Sequence, residues 1–424
     1  MEDKVIFHID INHCYAQIEE MKYPELRFIP MAVGGHEEKR HGIILAKNDL
    51  AKKAGIKTGE SLREAYEKCP DLLIIPPAYN DYIYYSREIR KLYQEYTDHV
   101  EPFGLDEAWL DFTGSTRIYG DPCMTAARIQ QRVLREFGLT VSVGISWNKA
   151  FAKLGSDLKK PSGMTVITRD NYKDIVWPRP ASDLLYVGYA TEKKLRSRGI
   201  YTIGQLANYP VHWLKESMGI AGEVISAFAN GEDRSNVAET FFRTPVKSVG
   251  NAMTLIHDVN DADELRPAMY VLCEAVASRL KDHDMEGCVI SVSARSGGLE
   301  WYGKQRKIPQ PTNVSEEILK TAMELIEESY DFSVPLRAAG VSVSQLHPWH
   351  SKRQLSLFAD EEAYDDALRI DTAMDRIREQ YGFYSVRRAC TLIDRPLTEF
   401  NPKGDHTVYP IGYFRGRKMS DGII

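Results

Sequence analysis

Apolar and polar positions alternate with β-branched residues in "VIFHIDIN" (5–12), which predicts a first strand. "HCYAQIEEMKY" follows with helical spacing at Tyr15, Ile18 and Met21. A smaller region, 22–76, holds two short strands, "PMAVGG" and "HGIILAK", and a helix, "ESLREAYEKC". "NDYIYYSREIRKLYQEYT" predicts a long helix whose core face carries Tyr82, Tyr85, Ile89, Leu92, Tyr93 and Tyr96. A second long helix is predicted at 122–138. After it come a strand at 140–148, a helix ended by Pro161 and Gly163, and the short strand "MTVI". Between the two long helices lies "EPFGLDEAWLDFTG" (101–114), strand-like in composition but crowded with acids.

Beyond about residue 170 the pattern changes to short helices, including "DLLYVGYATEKKLRSRGIYTIGQLA" with a turn at Gly199. "ANGEDRSNV" (229–237) is polar and reads as a linker. A second α+β unit begins near Phe242 and alternates strand, helix, strand, helix, strand to His347, after which the chain is expected to be irregular. The alternation lacks βαβ regularity, so the fold class is α+β around a mainly antiparallel sheet. There is no long internal repeat.

Composition narrows the class. The chain has 424 residues, with 43% hydrophobic and 27% charged content, ordinary for a globular protein of about three domains. No apolar run reaches the 18 or so residues of a membrane span. The acidic start enters a strand at once and is not expected to be a leader. Six cysteines without a CxxC pair point to reduced thiols and a cytoplasmic protein. The net charge of −6 argues against nucleic acid on its own, but 145–235 carries 13 Lys and Arg against 9 Asp and Glu. "LKK" (158–160), "TEKKLRSRG" (191–199) and "GKQRK" (303–307) are the candidate phosphate contacts; solvated charge is their plainer reading.

The acids carry the chemistry. Asp10 ends the first strand, and Asp106 and Glu107 fall in the crowded stretch. Two strands ending in acids can meet at one sheet edge and bring the three together. With little basic charge nearby they would repel, and divalent cations would relieve them; Mg2+ favours one or two carboxylates plus phosphate oxygens. Two such ions roughly 3.5–4 Å apart catalyse phosphoryl displacement. A hairpin with solvent-facing acids is the plain alternative. Asp111 is read as a strand-end residue, and His13 and Cys14 as packing.

These segments, taken in order, resemble the Y-family translesion DNA polymerases of the DNA polymerase IV (DinB-like) kind. "FHIDIN…YAQIEE" looks like the first metal motif, "LDEAWLD" the second, and "VSVGISWNKAFAKLGSDLKKPSG" the third block. The resemblance implies a right-hand polymerase: palm (1–21 and 77–168), small fingers (22–76), a helical thumb (169–232), a linker (233–242), an α+β little finger (243–347) and a clamp-docking tail (348–424). It implies that Asp10, Asp106 and Glu107 hold two Mg2+ ions, with the backbone carbonyl of Ile11 assisting. Tyr15 falls at the steric gate, which selects deoxynucleotides, and Lys160 at the triphosphate lysine. In the fingers the usual Tyr and Arg are replaced: "AKNDLAKKAG" keeps Asn48 but has Asp49 for the tyrosine and Lys52 for the arginine, with Lys47 placed to share the task. Lysine supplies charge but no bidentate fork.

The thumb segment resembles a helix-hairpin-helix with Gly188-Tyr189-Ala190 in place of Gly-x-Gly, suited to a DNA phosphate. "RTPVKSVGNAMTL" (243–255) looks like the first strand of the little finger. "RQLSLF" (353–358) resembles the peptide that docks bacterial polymerases on the β sliding clamp, through Gln354, Leu355, Leu357 and Phe358; a short packed strand is its alternative. The expected function is translesion synthesis by a monomer on primer-template DNA with dNTP, of low fidelity and without proofreading. A non-catalytic DNA- and clamp-binding protein with a decayed nucleotide site is the rival. A nucleotide cyclase on the same palm sheet is a second one, disfavoured by the little finger and "QLSLF".

Overall fold

The computed structural model describes residues 4–35, 42–240, 242, 245–349 and 361–404. They form two compact units, the first ending before 243 and the second running from 245 to 404.

The centre of the first unit is a five-stranded sheet. Its strands are β1 (Ile6–Ile11), β5 (Val100–Phe103), β6 (Glu107–Asp111), β7 (Val141–Ser146) and β8 (Met164–Val166), in the order β5-β6-β1-β7-β8. All neighbours are antiparallel except β7 and β8. β1 is the middle strand and is buried on both faces. Phe7, Ile9 and Ile11 meet Tyr82, Ile89, Ile129 and Val133 from the helices Tyr79–Gln94 and Pro122–Phe137. The tyrosine stripe is the core face that its spacing predicts.

His8 and Asp10 point the other way, as period-two alternation requires. That face is covered by the helix Lys149–Leu158, capped by Asn148, whose side chain accepts the Phe151 N–H. The approach is close because Gly144 lies beneath it: a Cβ at Gly144 would sit 1.9 Å from the Ala152 carbonyl oxygen.

A small sheet, β3-β2-β4, forms the 22–76 region from β2 (Met31–Gly34), β3 (Ile44–Lys47) and β4 (Leu73–Ile75). The helix Leu62–Lys68 packs on it, started by a Ser61–Glu64 capping box. Short helices between Tyr189 and Ala229 enclose a separate core of Leu195, Ile203, Leu206, Leu214 and Ile225. The polar 229–237 stretch is pinned rather than free. Trp147 donates to the Gly231 carbonyl at 3.0 Å, and the Asp233 carboxylate takes the Ala150 N–H at 3.2 Å.

The second unit is a four-stranded antiparallel sheet, β11-β10-β12-β9, from β9 (Ser248–Val259), β10 (Met285–Ser296), β11 (Trp301–Thr312) and β12 (Leu336–Pro348). The helices Ala262–Asp282 and Ser315–Ser329 build its core with the sheet. Two expectations are corrected here. Within "GKQRK", Lys304 and Arg306 pair with Glu328 and Glu324 of the second helix, so these two charges are neutralised within the unit. The chain after His347 is not irregular: a 21-residue helix, Glu361–Tyr381, is followed by short turns that bury Leu397 in the same core. Its anchors are polar. Arg388 bridges Glu274 (2.9 Å) and Asp371 (2.7 Å), Arg378 joins Glu274 (2.9 Å), and Asp371 accepts the Ser315 N–H at 2.7 Å. The peptide 353–358 lies outside the described residues.

Candidate active site

The adjacent acids are resolved by a turn. Asp106 precedes β6 and Glu107 begins it, so only Glu107 obeys the strand's alternation. Glu107 lies directly across from Asp10 in the β1–β6 register, on the face covered by Lys149–Leu158. The Asp106 carbonyl accepts the Ile11 N–H at 2.9 Å, fixing the turn to the end of β1. The three acids therefore meet at the ends of two central strands, not along a sheet edge. Asp111, at the far end of β6, accepts the Thr113 N–H at 3.0 Å and so shapes a turn. Trp109 anchors the hairpin by donating to the Lys149 carbonyl at 3.0 Å.

Basic charge stands close to the acids, contrary to expectation. Lys160 Nζ lies 2.7 Å from Asp10 and 2.8 Å from Asp157. Lys153 Nζ lies 2.7 Å from Glu107. Fully buried His8 puts Nε2 3.2 Å from Glu107, while Nδ1 stands 2.8 Å from Ser156 Oγ. Lys153 and His8 were missed by the sequence reading. Lys149 and Lys153 recur at i and i+4 on one face of that helix, the first reaching Glu101 and the second Glu107, and that spacing was the available signal.

Burial sets the electrostatics. It pushes the Asp10 carboxyl up to about 7, against Lys160 and with the aid of the Glu107 charge. It pushes Asp106 up to about 6, again with Glu107 adding. Burial would raise Glu107 too, but His8 and Lys153 together hold it at about 2. Burial opposes the Lys160 charge, and Asp10 and Asp157 overcome it to raise the ammonium.

Among the described residues no cation pairs with Asp106, and none of the clusters of three or more His, Cys, Asp or Glu side chains is arranged to hold a metal ion as it stands. The donor chemistry at Asp10 and Asp106 nevertheless fits a hard divalent ion: two neighbouring carboxylates, one buried and one half-buried, whose charged forms are disfavoured. Glu107 is turned to Lys153 and His8.

A cavity of about 360 Å³ opens over these acids. Asp10, Asp106, Tyr15, Lys47, Lys52 and Lys160 are among its walls. Tyr15 is half-buried and rigidly backed. Its ring stacks on Tyr82 at 4.3 Å and meets the edge of Tyr79 at 6.0 Å, and Tyr82 in turn donates to Glu19 at 2.7 Å. Lys52 is exposed on the helix Asp49–Lys53, as is Asp49. Asn48 does not reach the cavity. Its buried side chain accepts the N–H groups of Met31 (3.2 Å) and Ala51 (3.0 Å) and donates to the carbonyls of Leu26 (3.1 Å) and Ile29 (2.9 Å). All its hydrogen-bonding capacity is spent on backbone, so its expected nucleotide contact is corrected to a structural cap.

The pattern that defines the impB/mucB/samB family matches residues 9–157, and that of the family's C-terminal domain matches 246–357. DNA polymerase IV of Acetivibrio thermocellus is 43% identical over 394 residues, covering 93% of this chain and 99% of the relative. The chain belongs to the Y-family DNA polymerases of the DNA polymerase IV kind. DNA polymerase IV 2 of Bacillus subtilis is 36% identical over 402 residues, 92% of this chain and 95% of that one. A solved Y-family DNA polymerase chimera shares the fold, with TM-score 0.70 and 22% identity over 80% of this chain and 98% of its own. This polymerase thus carries its acids on the central sheet of the first unit, with the lysine-bearing small sheet across the cavity.

Proposed function

We propose that this polymerase performs translesion synthesis, transferring dNMP from a dNTP to a primer 3′-OH on a DNA template. The observation that carries the reading is the meeting of Asp10, Asp106 and Glu107 at one cavity faced by lysines. Asp10 and Asp106 would hold two Mg2+ ions, with Glu107 and the Ile11 carbonyl completing the set. When bound, the ions lower the pKa of the attacking hydroxyl and neutralise the leaving pyrophosphate. Lys153 and His8 position Glu107. Lys160 positions Asp10 and offers its one remaining N–H to the triphosphate, with Lys52 a second charge on the cavity wall. Tyr15, braced by Tyr82, stands where a ribose 2′-OH would intrude. The small fingers, one three-stranded sheet with two short helices, support tolerance of damaged templates and low fidelity without proofreading.

Gln354, Leu355, Leu357 and Phe358 are proposed to dock on the β sliding clamp, on their residue pattern and their position between β12 and the helix Glu361–Tyr381. The six cysteines are unpaired, which supports a cytoplasmic setting, and the protein is read as a monomer. Primer extension tests the catalytic reading. Mg2+-dependent extension by the intact protein, abolished in Asp106→Asn, is expected; binding of primed DNA without any extension would overturn it. Leu357→Ala with Phe358→Ala should weaken clamp binding and spare clamp-free extension, and unchanged clamp affinity would remove the docking assignment.

A further inference from the structure

Lys47 ends β3 and is half-buried on the cavity wall. Its Nζ donates to Thr58 Oγ1 at 3.0 Å. The turn carrying Thr58 is fixed independently of that bond. Gly55 and Gly59 both hold φ +86°, where a side chain is strained, and the turn is tied to β3 by Gly59 N–H to the Ile44 carbonyl (2.8 Å) and Ile44 N–H to the Glu60 carbonyl (2.9 Å). The lysine head is therefore held in place, unlike exposed Lys52.

Among the described residues no carboxylate pairs with Lys47 or Lys52. The acid that acts on Lys47, Glu60, is engaged by Lys68. Asp49, also on the wall, is exposed and pairs with neither. Burial and the Lys52 charge both work against the Lys47 ammonium. A half-buried cation beside a second cation, without a protein anion, is stabilised by an anion from outside. One ammonium N–H is used by Thr58, two remain, and the Thr58 hydroxyl hydrogen is free to donate as well. That donor set suits phosphate oxygens, and it enters from the fingers, across the cavity from Asp10 and Asp106.

We propose that Lys47 binds the terminal phosphates of the incoming nucleotide and the pyrophosphate that leaves, with Thr58 as its positioning residue. The assignment rests on the polymerase reading. It places the main phosphate grip on a strand-end lysine and a turn threonine, ahead of the helix that carries Lys52.

The test combines steady-state dNTP kinetics with pyrophosphate inhibition and direct pyrophosphate binding to the free enzyme in Mg2+. Lys47→Ala is expected to raise the dNTP KM about tenfold and to weaken pyrophosphate inhibition by about the same factor, with the Kd for primed DNA unchanged. Lys47→Arg should recover part of both. Thr58→Val should move both in the same direction by about threefold, and Thr58→Ser should restore them. A dNTP KM and pyrophosphate affinity within twofold of the parent in Lys47→Ala would overturn the proposal. So would a loss confined to DNA affinity, which would make Lys47 a DNA-backbone contact. An intact protein that binds pyrophosphate through Lys47 but never extends a primer would sink the polymerase reading and leave the anion site standing.

Discussion

Gly144→Ala should separate the helix Lys149–Leu158 from the sheet and disable the site without touching any acid. The new Cβ would lie 1.9 Å from the Ala152 carbonyl oxygen and 2.5 Å from the Ser156 N, both backbone atoms, where ordinary contact begins at 3.4 Å. The helix must therefore retreat by about 1.5 Å, the difference between 3.4 and 1.9 Å. The contacts that cross that seam at the site are His8 to Ser156 at 2.8 Å and Lys153 to Glu107 at 2.7 Å, with Lys160, just past the helix end, to Asp10 at 2.7 Å. Retreat along the contact direction stretches each beyond 4 Å and ends the hydrogen bonds. Overpacking of this kind costs about 3 kcal/mol, and misplacement of catalytic groups by about 1 Å costs up to a hundredfold in rate. Urea unfolding and primer extension should both register the change, while Gly114→Ala, whose Cβ meets nothing within 4 Å, serves as the neutral control. If Gly144→Ala keeps its stability within about 0.5 kcal/mol and extends primers like the parent, the close helix–sheet seam does not hold the site together.

Tyr15→Ala should raise ribonucleotide incorporation relative to deoxynucleotide, and Tyr15→Phe should not; an unchanged ribo-to-deoxy ratio in Tyr15→Ala would remove the gate. Arg388→Ala leaves the buried Glu274 and Asp371 carboxylates short of a partner and should destabilise the second unit by about 3 kcal/mol, read by denaturant unfolding of the full chain. A loss below about 0.5 kcal/mol would show that the network is not holding the helix Glu361–Tyr381. His257 is raised above its usual value by the Asp258 carbonyl and, against some burial, by Asp394 at 2.8 Å. Its contact therefore adds stability below about pH 6.5, and that gain fades as pH rises through the higher folded value. The effect is small at this exposure, so the Tm difference between the parent and His257→Asn should be greatest near pH 5 and shrink as the pH rises past 6.5; a pH-independent difference would contradict it.

The central sheet of the first unit and its helices were legible because these elements follow single rules. The alternation of "VIFHIDIN" gives β1, and the tyrosine spacing gives the core face of Tyr79–Gln94. What escaped depends on contacts between distant residues. Whether Glu107 is compensated depends on Lys153, 46 residues away, and His8, neither of which a hairpin pattern contains. Asn48 fits both a nucleotide contact and a helix cap from sequence, and only its four backbone partners decide for the cap. The lysine and arginine of "GKQRK" look like one basic patch in one dimension, but period two puts Lys304 and Arg306 on the same side, beside Glu324 and Glu328. The helix Glu361–Tyr381 was missed because its inner face is held by Asp371 and Arg378 as much as by Met374, which blurs the apolar stripe.

Asp371 also decides where the second unit ends as a cooperative object. Its carboxylate takes both the backbone N–H and the hydroxyl of Ser315, so the first turn of Ser315–Ser329 is completed by a residue 56 positions later. A shortened chain stopping at β12 would keep every strand, yet leave that helix start bare and the Leu397 slot open. The segment past 361 is thus a structural part of the DNA polymerase's second unit, and its loss would be felt as unfolding before it was felt as a missing appendage.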